Sequence, residues 1–515
     1  MQTTGFTRIS LALALASFPL ALHAAPTCAD VERFLVGKAR DVKCFHADDL
    51  RANKPLSPPI TPGDNTITTF ADGTPLPGLL NGLGSFQAST DPTVISNGPS
   101  PMPAQDPVPG IQVEGWFADD PTNQARFLLR FPDDWNGKLV VAGSSGTRSE
   151  FNGDWAWSDY VLPKGYAYAS QNKGVLNLWF LSFASDTQPA PMSCRVAPPG
   201  AGARSGWWVH FYDVDPAKPF TQWTQYMLQT AELARSALKA TYDKFPSRTY
   251  AVGTSNGGYQ VRRAIEEAPN LFDGGVDWEG TYINPTENIL IDLPVAVRNF
   301  PAYRAAGYDS ASDAYQAILD AGFPPDIVHG DPDNGGASLW RSYYNEFWEV
   351  TTCQWQQRFD PAYPTYAGEG PGGYDLLGRL DVPGVFSSLQ AVSTTGKIKK
   401  PLITVAGTMD ALLPIKHQAR AYEDAVNESR RGNNTHRNAQ YRLYEVQNGN
   451  HIESYVSTFP ELVEIQPHAQ KAFDLLVDHV EKNAALPPSQ CIPVDGAISS
   501  HPSQPGNCAK LFVKP

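Results

Sequence analysis

Residues 250–258 read Tyr-Ala-Val-Gly-Thr-Ser-Asn-Gly-Gly. Gly253-Thr254-Ser255-Asn256-Gly257 fits the pattern G-x-S-x-G. A serine at a sharp strand-to-helix turn sits in a strained backbone with its hydroxyl raised above the sheet. Side chains two residues to either side would collide with the turn, so both positions want glycine. The flanks agree. Arg248–Val252 is a short β-prone run, and Gly257–Ala268 reads as a helix closed by Pro269. Ser255 is therefore the candidate nucleophile. The backbone N–H of Asn256, next in the chain, is a candidate oxyanion donor.

The neighbours of this stretch alternate in type. Before it, Phe220–Phe245 reads as an amphipathic helix. Trp223, Met227, Ala231, Ala234, Leu238 and Tyr242 recur at three- and four-residue steps. A helix feeding directly into a strand is the grammar of a parallel sheet. Further upstream, Val113–Phe117 and Ala125–Phe131 read as paired strands. Lys138–Ala142 is a continuous apolar run of buried-strand type. Gly143-Ser144-Ser145-Gly146-Thr147-Arg148 follows it, and Gly165–Ser170 is another short strand. Ser144 and Ser145 are candidates for a second oxyanion N–H, the alternative being a plain turn. Downstream, Asp273–Gly280, Pro401–Ala406 and Gln440–Val446 read as strands, with helices over His417–Ser429 and from Glu461 to about Asn483. Residues 285–395 break this rhythm and carry Trp340, Trp348 and Trp355 among many Tyr and Pro. Connections in α/β units run to about 2–6 residues, so a segment this long predicts a folded lid.

A serine hydroxyl is a poor nucleophile at neutral pH. It needs a base, and the base needs an acid to fix its tautomer and stabilise the imidazolium. Asp410 follows the strand 401–406 and His451 follows the strand 440–446, so Ser255, Asp410 and His451 are the candidate triad. His417, His468 and His479 fall in predicted helices and His436 in a polar loop. Asp375 and Asp381 follow no clear strand.

Composition narrows the class. The 515 residues are 42% hydrophobic and 18% charged, the signature of a globular chain. The net charge is −13 and basic runs are short, which argues against nucleic acid as a partner. Residues 1–25 read as a secretory signal, with Arg8, the apolar stretch Ile9–Leu22 and Ala24-Ala25. That apolar stretch is short for a membrane span, so no stable membrane anchor is expected. Six cysteines, an even number in an exported chain, predict disulfides. Proximity favours Cys28–Cys44 and Cys491–Cys508, leaving Cys194–Cys353, with other pairings possible. No C-x-x-C occurs, and no cofactor or metal is expected. Residues 199–206 are Gly-rich without a flanking strand and helix, so a loop is favoured over a phosphate site. Asp331-Pro332-Asp333-Asn334-Gly335 slightly resembles a calcium loop but lacks further acidic ligands, and a surface turn is favoured.

The expected architecture is α/β, a mostly parallel sheet flanked by helices with a large inserted lid. Residues 1–25 are the signal, 26–110 a loop-rich segment, 111–284 the first part of the core, 285–395 the lid, 396–485 the second part of the core and 486–515 a disulfide-closed tail. Across 110–285 and 395–485 the chain resembles the α/β-hydrolase superfamily, whose triads run in the order Ser, Asp or Glu, His. The segments Ser144–Arg148, Gln171-Asn172-Lys173-Gly174 and Thr254–Gly258 are similar to those of secreted 3-hydroxybutyrate oligomer hydrolases. The layout is also similar, less closely, to the tannase and feruloyl esterase family. The resemblance implies a secreted serine ester hydrolase, extracellular or periplasmic. Its substrate would be a hydroxyalkanoate oligomer or related polyester, or else an aromatic-acid ester. A hydrolase fold without activity, serving as a secreted binding protein, is the alternative of another class.

Overall fold

The computed structural model describes residues 27–51, 106–121, 125–146, 150–151, 153–174, 179–182, 194–196, 207–210, 220–366, 370–432 and 440–514. The expected signal segment 1–25, most of the loop-rich segment, Thr147, Arg148, the Gly-rich stretch 199–206 and His436 lie outside the described residues.

One sheet of ten strands organises the molecule. In chain order they are β1 (Ala39–Ala47), β2 (Gly110–Phe117), β3 (Arg126–Pro132), β4 (Lys138–Gly143), β5 (Ala167–Gln171), β6 (Arg248–Thr254), β7 (Gly274–Trp278), β8 (Leu402–Gly407), β9 (Tyr441–Val446) and β10 (Gln490–Ile492). Their spatial order is β1-β2-β3-β5-β4-β6-β7-β8-β9-β10. The pairs β1–β2, β2–β3 and β3–β5 are antiparallel. From β5 through β4 to β10 every pair is parallel. All these carboxyl ends therefore lie on one side of the sheet.

Apolar runs such as Leu139–Ala142 are buried on both faces, which is why they read as continuous rather than alternating. The two-residue period still decides which neighbour each side chain meets. Leu139 and Val141 pack with Met227, Ala231, Ala234 and Leu238 of a long helix, Thr221–Tyr242. Val140 and Ala142 face the other way, into the cluster holding Ala469, Phe473 and Leu476 of the helix Gln466–Lys482. Fully burying a side chain such as Leu238 or Phe473 is worth about 1.5–3 kcal/mol. Such helix–sheet contacts, repeated along the sheet, hold the layers together.

Residues 289–392 contribute most of a third core, in which Trp340, Trp348 and Trp355 are fully buried. Met409, Ala411, Leu412, Leu413, Ile452 and Phe459 join the same core. Those residues lie just beyond the carboxyl ends of β8 and β9. The segment 285–395 is thus seated over the same side of the sheet as Ser255.

Cysteine pairs join Cys28 to Cys44, Cys194 to Cys353 and Cys491 to Cys508, with no free cysteine among the described residues. The second pair ties the short strand Cys194–Val196 to the helix Glu349–Phe359. It closes a separation of 159 residues. Loops of that order gain about 4–5 kcal/mol in the chain-entropy account. Disulfides belong to oxidising compartments. Among the described residues, no helix is long and apolar enough to cross a membrane.

Four elements differ from the sequence reading. The loop-rich segment holds a helix, Cys28–Leu35, and strand β1, whose mixed charges hide its alternation. Pairing with β2 and the Cys28–Cys44 bond stabilise it from outside the local sequence. The tail adds β10, a three-residue strand too short to register as a pattern. The last helix starts at Gln466 rather than Glu461, because Val463 is taken by a bridge to Gly449. The sheet order, its parallel run and the serine turn after β6 together make an α/β-hydrolase fold.

Candidate active site

The turn at Ser255 is built by glycine. A Cβ on Gly253 would lie 2.4 Å from the carbonyl carbon of Gly257, and one on Gly257 would lie 2.4 Å from the carbonyl oxygen of Gly143. Neither separation is possible, so both positions exclude any side chain. Ser255 itself holds φ 58° and ψ −123°, a conformation non-glycine residues avoid. Its N–H donates to the carbonyl of Trp278 at 2.9 Å, which pins the turn to the end of β7. The helix Asn256–Glu267 begins at once.

Ser255, Asp410 and His451 converge, although 196 residues separate the first from the last. The hydroxyl of Ser255 lies 3.1 Å from Nε2 of His451. Nδ1 of His451 lies 2.8 Å from Oδ2 of Asp410. A carboxylate only accepts, so the proton of the neutral imidazole sits on Nδ1 and Nε2 accepts from the serine. Oδ1 of Asp410 accepts from the N–H groups of Leu412 and Leu413 at 2.8 and 2.7 Å. All three side chains are buried, His451 being 1% exposed.

Ser144 and Ser145 sit beside this turn, since Gly143 and Gly257 touch backbone to backbone. The carbonyl of Ser144 accepts from Nε2 of Gln260 at 2.8 Å. The carbonyl of Ser145 accepts from Nζ of Lys173 at 3.3 Å. In a trans peptide the following N–H points opposite its carbonyl. Gln260 and Lys173 therefore orient the N–H groups of Ser145 and Gly146. Lys173 is itself fully buried, its ammonium 4.6 Å from the ring centre of Trp223. Asn256 is buried, with Oδ1 accepting from the Thr281 hydroxyl at 2.9 Å.

The segment 285–395 grips the loops that carry Asp410 and His451. Tyr343 donates to Oδ1 of Asn450 at 2.8 Å, one residue before His451. Nε1 of Trp348 donates to the carbonyl of Ala411 at 2.6 Å, one residue after Asp410.

The competing candidates are placed elsewhere. Asp375 and Asp381 are exposed. His417 bonds Glu287, and Nδ1 of His479 donates to the carbonyl of Ala484 just past the end of its own helix. Burial in an apolar setting lowers the His468 pKa. Asp331 accepts from the N–H of Asp333 at 3.0 Å, and Asp333 pairs with Arg304 at 2.8 Å. The calcium-like stretch thus spends its carboxylates on its own turn and on an arginine.

Glu279 is the residue the sequence reading missed. Its Oε2 lies 3.3 Å from Nδ1 of His451, on the same nitrogen as Asp410. It stands one residue past β7, just as Ser255 stands one past β6. In the sequence Glu279 falls inside the predicted strand Asp273–Gly280, so nothing there sets it apart from a strand residue.

Residues 375–502 match the family model described as 3HB-oligomer hydrolase. This stretch holds Asp410 and His451 but not Ser255. A D-(-)-3-hydroxybutyrate oligomer hydrolase of Burkholderia thailandensis is 34% identical over 113 residues, covering 21% of this chain and 16% of the relative. That of Burkholderia mallei matches with the same identity and coverage. The matched stretch thus spans about a sixth of these relatives' length. Among solved structures, feruloyl esterase B from Aspergillus oryzae aligns over 92% of this chain and 93% of its own, at 11% identity and TM-score 0.48. Tannin acyl hydrolase from Aspergillus niger aligns over 79% and 85%, at 14% identity and TM-score 0.39. The chain resembles the 3-hydroxybutyrate oligomer hydrolases over the matched residues.

Proposed function

We propose that the chain is a secreted carboxylic-ester hydrolase that works through an acyl-enzyme on 3-hydroxybutyrate oligomers. The observation that carries the mechanism is His451 lying within hydrogen-bond reach of both Ser255 and Asp410. The match over residues 375–502 supports the substrate class.

The steps follow from the atoms present. Oγ of Ser255 attacks the ester carbonyl while Nε2 of His451 takes its proton. Asp410 holds Nδ1–H and stabilises the imidazolium. The N–H of Asn256 and one from the Ser144–Ser145 loop hold the oxyanion. The carbon–oxygen bond to the alcohol breaks, and His451 returns the proton to the leaving oxygen. Water, activated by the same Nε2, then releases the acid and restores Ser255. The segment 285–395 acts as the lid, shaping the acyl and alcohol pockets and excluding water.

The contact between Gly257 and Gly143 yields a prediction. Gly257→Ala drives a methyl group into the Gly143 carbonyl, which must move the oxyanion loop. Misplacements of about 1 Å near reacting groups lower rates by about 10²-fold. Steady-state kinetics should record a loss of that order, with the circular-dichroism spectrum retained. An unchanged kcat/KM would contradict the placement of the loop.

The substrate is tested with purified secreted protein on a panel of hydroxybutyrate oligomers, feruloyl and galloyl esters and p-nitrophenyl esters. Hydroxybutyrate oligomers should give the highest kcat/KM. Faster turnover of feruloyl or galloyl esters would overturn the substrate, and no turnover of any ester would overturn the enzyme.

A further inference from the structure

We propose that Glu279 is a positioning residue for this reaction, a second acid poised beside Nδ1 of His451 that can hold the base by itself when Asp410 is absent. The inference rests on the ester-hydrolase reading above. Four observations carry it.

The first is geometry. Oε2 of Glu279 and Oδ2 of Asp410 approach the same nitrogen, at 3.3 and 2.8 Å. Asp410 takes the hydrogen bond, and Oε2 of Glu279 stands next to the same nitrogen at ion-pair distance. The second is orientation. Oε1 of Glu279 is anchored by the N–H of Gly407 at 3.1 Å. Oε2 has no hydrogen-bond partner among the described residues and is aimed at His451. A buried oxygen left without another partner is expensive unless something requires it there. The third is backbone. Glu279 holds φ 52°, left-handed, where glutamate pays about 1–2 kcal/mol. Its own N–H donates to the carbonyl of Val405 at 2.8 Å, so the strained residue is clamped between β7 and β8. The fourth is position. β6, β7, β8 and β9 lie side by side, and the residues just beyond their carboxyl ends include Ser255, Glu279, Asp410 and His451.

The charges assign the two acids unequal parts. Two buried carboxylates beside one imidazole repel if both are ionised. Asp410 receives two backbone N–H groups besides His451, whereas Glu279 receives one. Burial, then the Asp410 charge, raise the Glu279 pKa well above the ordinary glutamate value. The titratable groups facing this carboxyl are His451, Asp410 and Glu453, with Tyr343 close to the same pair. In the intact enzyme Asp410 carries the charge and Glu279 stands by as the neutral member. Removing Asp410 removes the repulsion, and Glu279 becomes the anion that orients His451. A cation held by the same three groups would need Nδ1 without its proton, which contradicts the tautomer this chemistry uses.

The test compares one substitution in two backgrounds, on full-length secreted protein with an ester that the wild type turns over. Loss of a triad acid ordinarily lowers kcat by about 10⁴-fold. Asp410→Ala is expected to lose only about 10²-fold, because Glu279 substitutes. Glu279→Gln alone is expected to lose less than about tenfold. In the Asp410→Ala background, Glu279→Gln should remove a further 10²-fold or so, taking the double variant to the full loss. The Asp410→Ala enzyme should also gain activity as pH rises through the ionisation of Glu279, a limb missing from the double variant. A merely structural Glu279 would give the same loss in both backgrounds and no such limb, and that result overturns the proposal. Where Asp410→Ala does not fold, Asp410→Asn carries the same comparison, since its carbonyl can still accept from Leu412 and Leu413. Absence of turnover in the wild type would overturn the parent reading and this one with it. Wild-type turnover with equal losses in the two backgrounds would overturn this one only.

Discussion

Ser255→Ala should lower ester turnover by about 10⁴-fold or more while leaving the fold intact. The loss is large because no neighbouring group can replace the hydroxyl. Ser255 alone stands on the left-handed turn after β6, with Oγ 3.1 Å from Nε2 of His451. The fold should survive because the turn depends on Gly253, Gly257 and the N–H of Ser255, which donates to Trp278. Alanine keeps that N–H and adds nothing to the crowded backbone. The residual rate would come from water in the oxyanion site. Kinetics, labelling by a fluorophosphonate probe and a thermal melt check the three parts together. A variant that keeps a tenth of the wild-type rate, or that still takes up the probe, would remove Ser255 from the role of nucleophile.

How much of this was legible in the sequence follows from which forces were local. β4 and β8 are apolar runs buried on both faces, and β6 and β9 are β-prone runs, so composition marks all four. The serine turn is legible because sterics at Gly253 and Gly257 admit one residue type. Asp410 and His451 could be nominated because each follows such a run. Glu279 could not, since its significance lies in a distance to His451, 172 positions away in the chain, and in a φ of 52° that no pattern of residue types encodes. β1 was hidden for a related reason. Arg40, Asp41 and Lys43 read as loop, and only pairing with β2 and the bond from Cys28 to Cys44 make the stretch a strand. Gln260 and Lys173 were equally silent, because an orienting hydrogen bond to a distant carbonyl leaves no local signature.

The strand just before Glu279 carries the second large effect, this one on stability. Asp277→Ala is expected to destabilise the protein by about 3–5 kcal/mol, the usual result of stripping one partner from a buried ion pair. Oδ2 of Asp277 accepts from Nε of Arg262 at 2.6 Å and from the Thr404 hydroxyl at 2.7 Å. Oδ1 accepts from the N–H of Gly280 at 2.7 Å. Both ionic side chains are wholly inaccessible to water. Nη1 and Nη2 of Arg262 have no hydrogen-bond partner among the described residues, and the guanidinium carbon lies 4.3 Å from the ring centre of Tyr422. Among the described residues, Asp277 is thus the one anion bonded to Arg262, a fully buried cation. Without it the guanidinium must find water across the helix Asn256–Glu267 or disorder that helix, which carries the amide after Ser255. Replacing both partners at once, Arg262→Met with Asp277→Leu, removes the charge instead of stranding it, and should recover most of the loss. Urea titrations of the two variants read the difference as a shift in midpoint at constant slope. A single variant within 1 kcal/mol of the wild type, by the scale of an exposed pair, would show that the pair contributes nothing beyond its surface counterparts. A double variant no better than the single one would show that the cost lies in packing rather than in the unpaired charge.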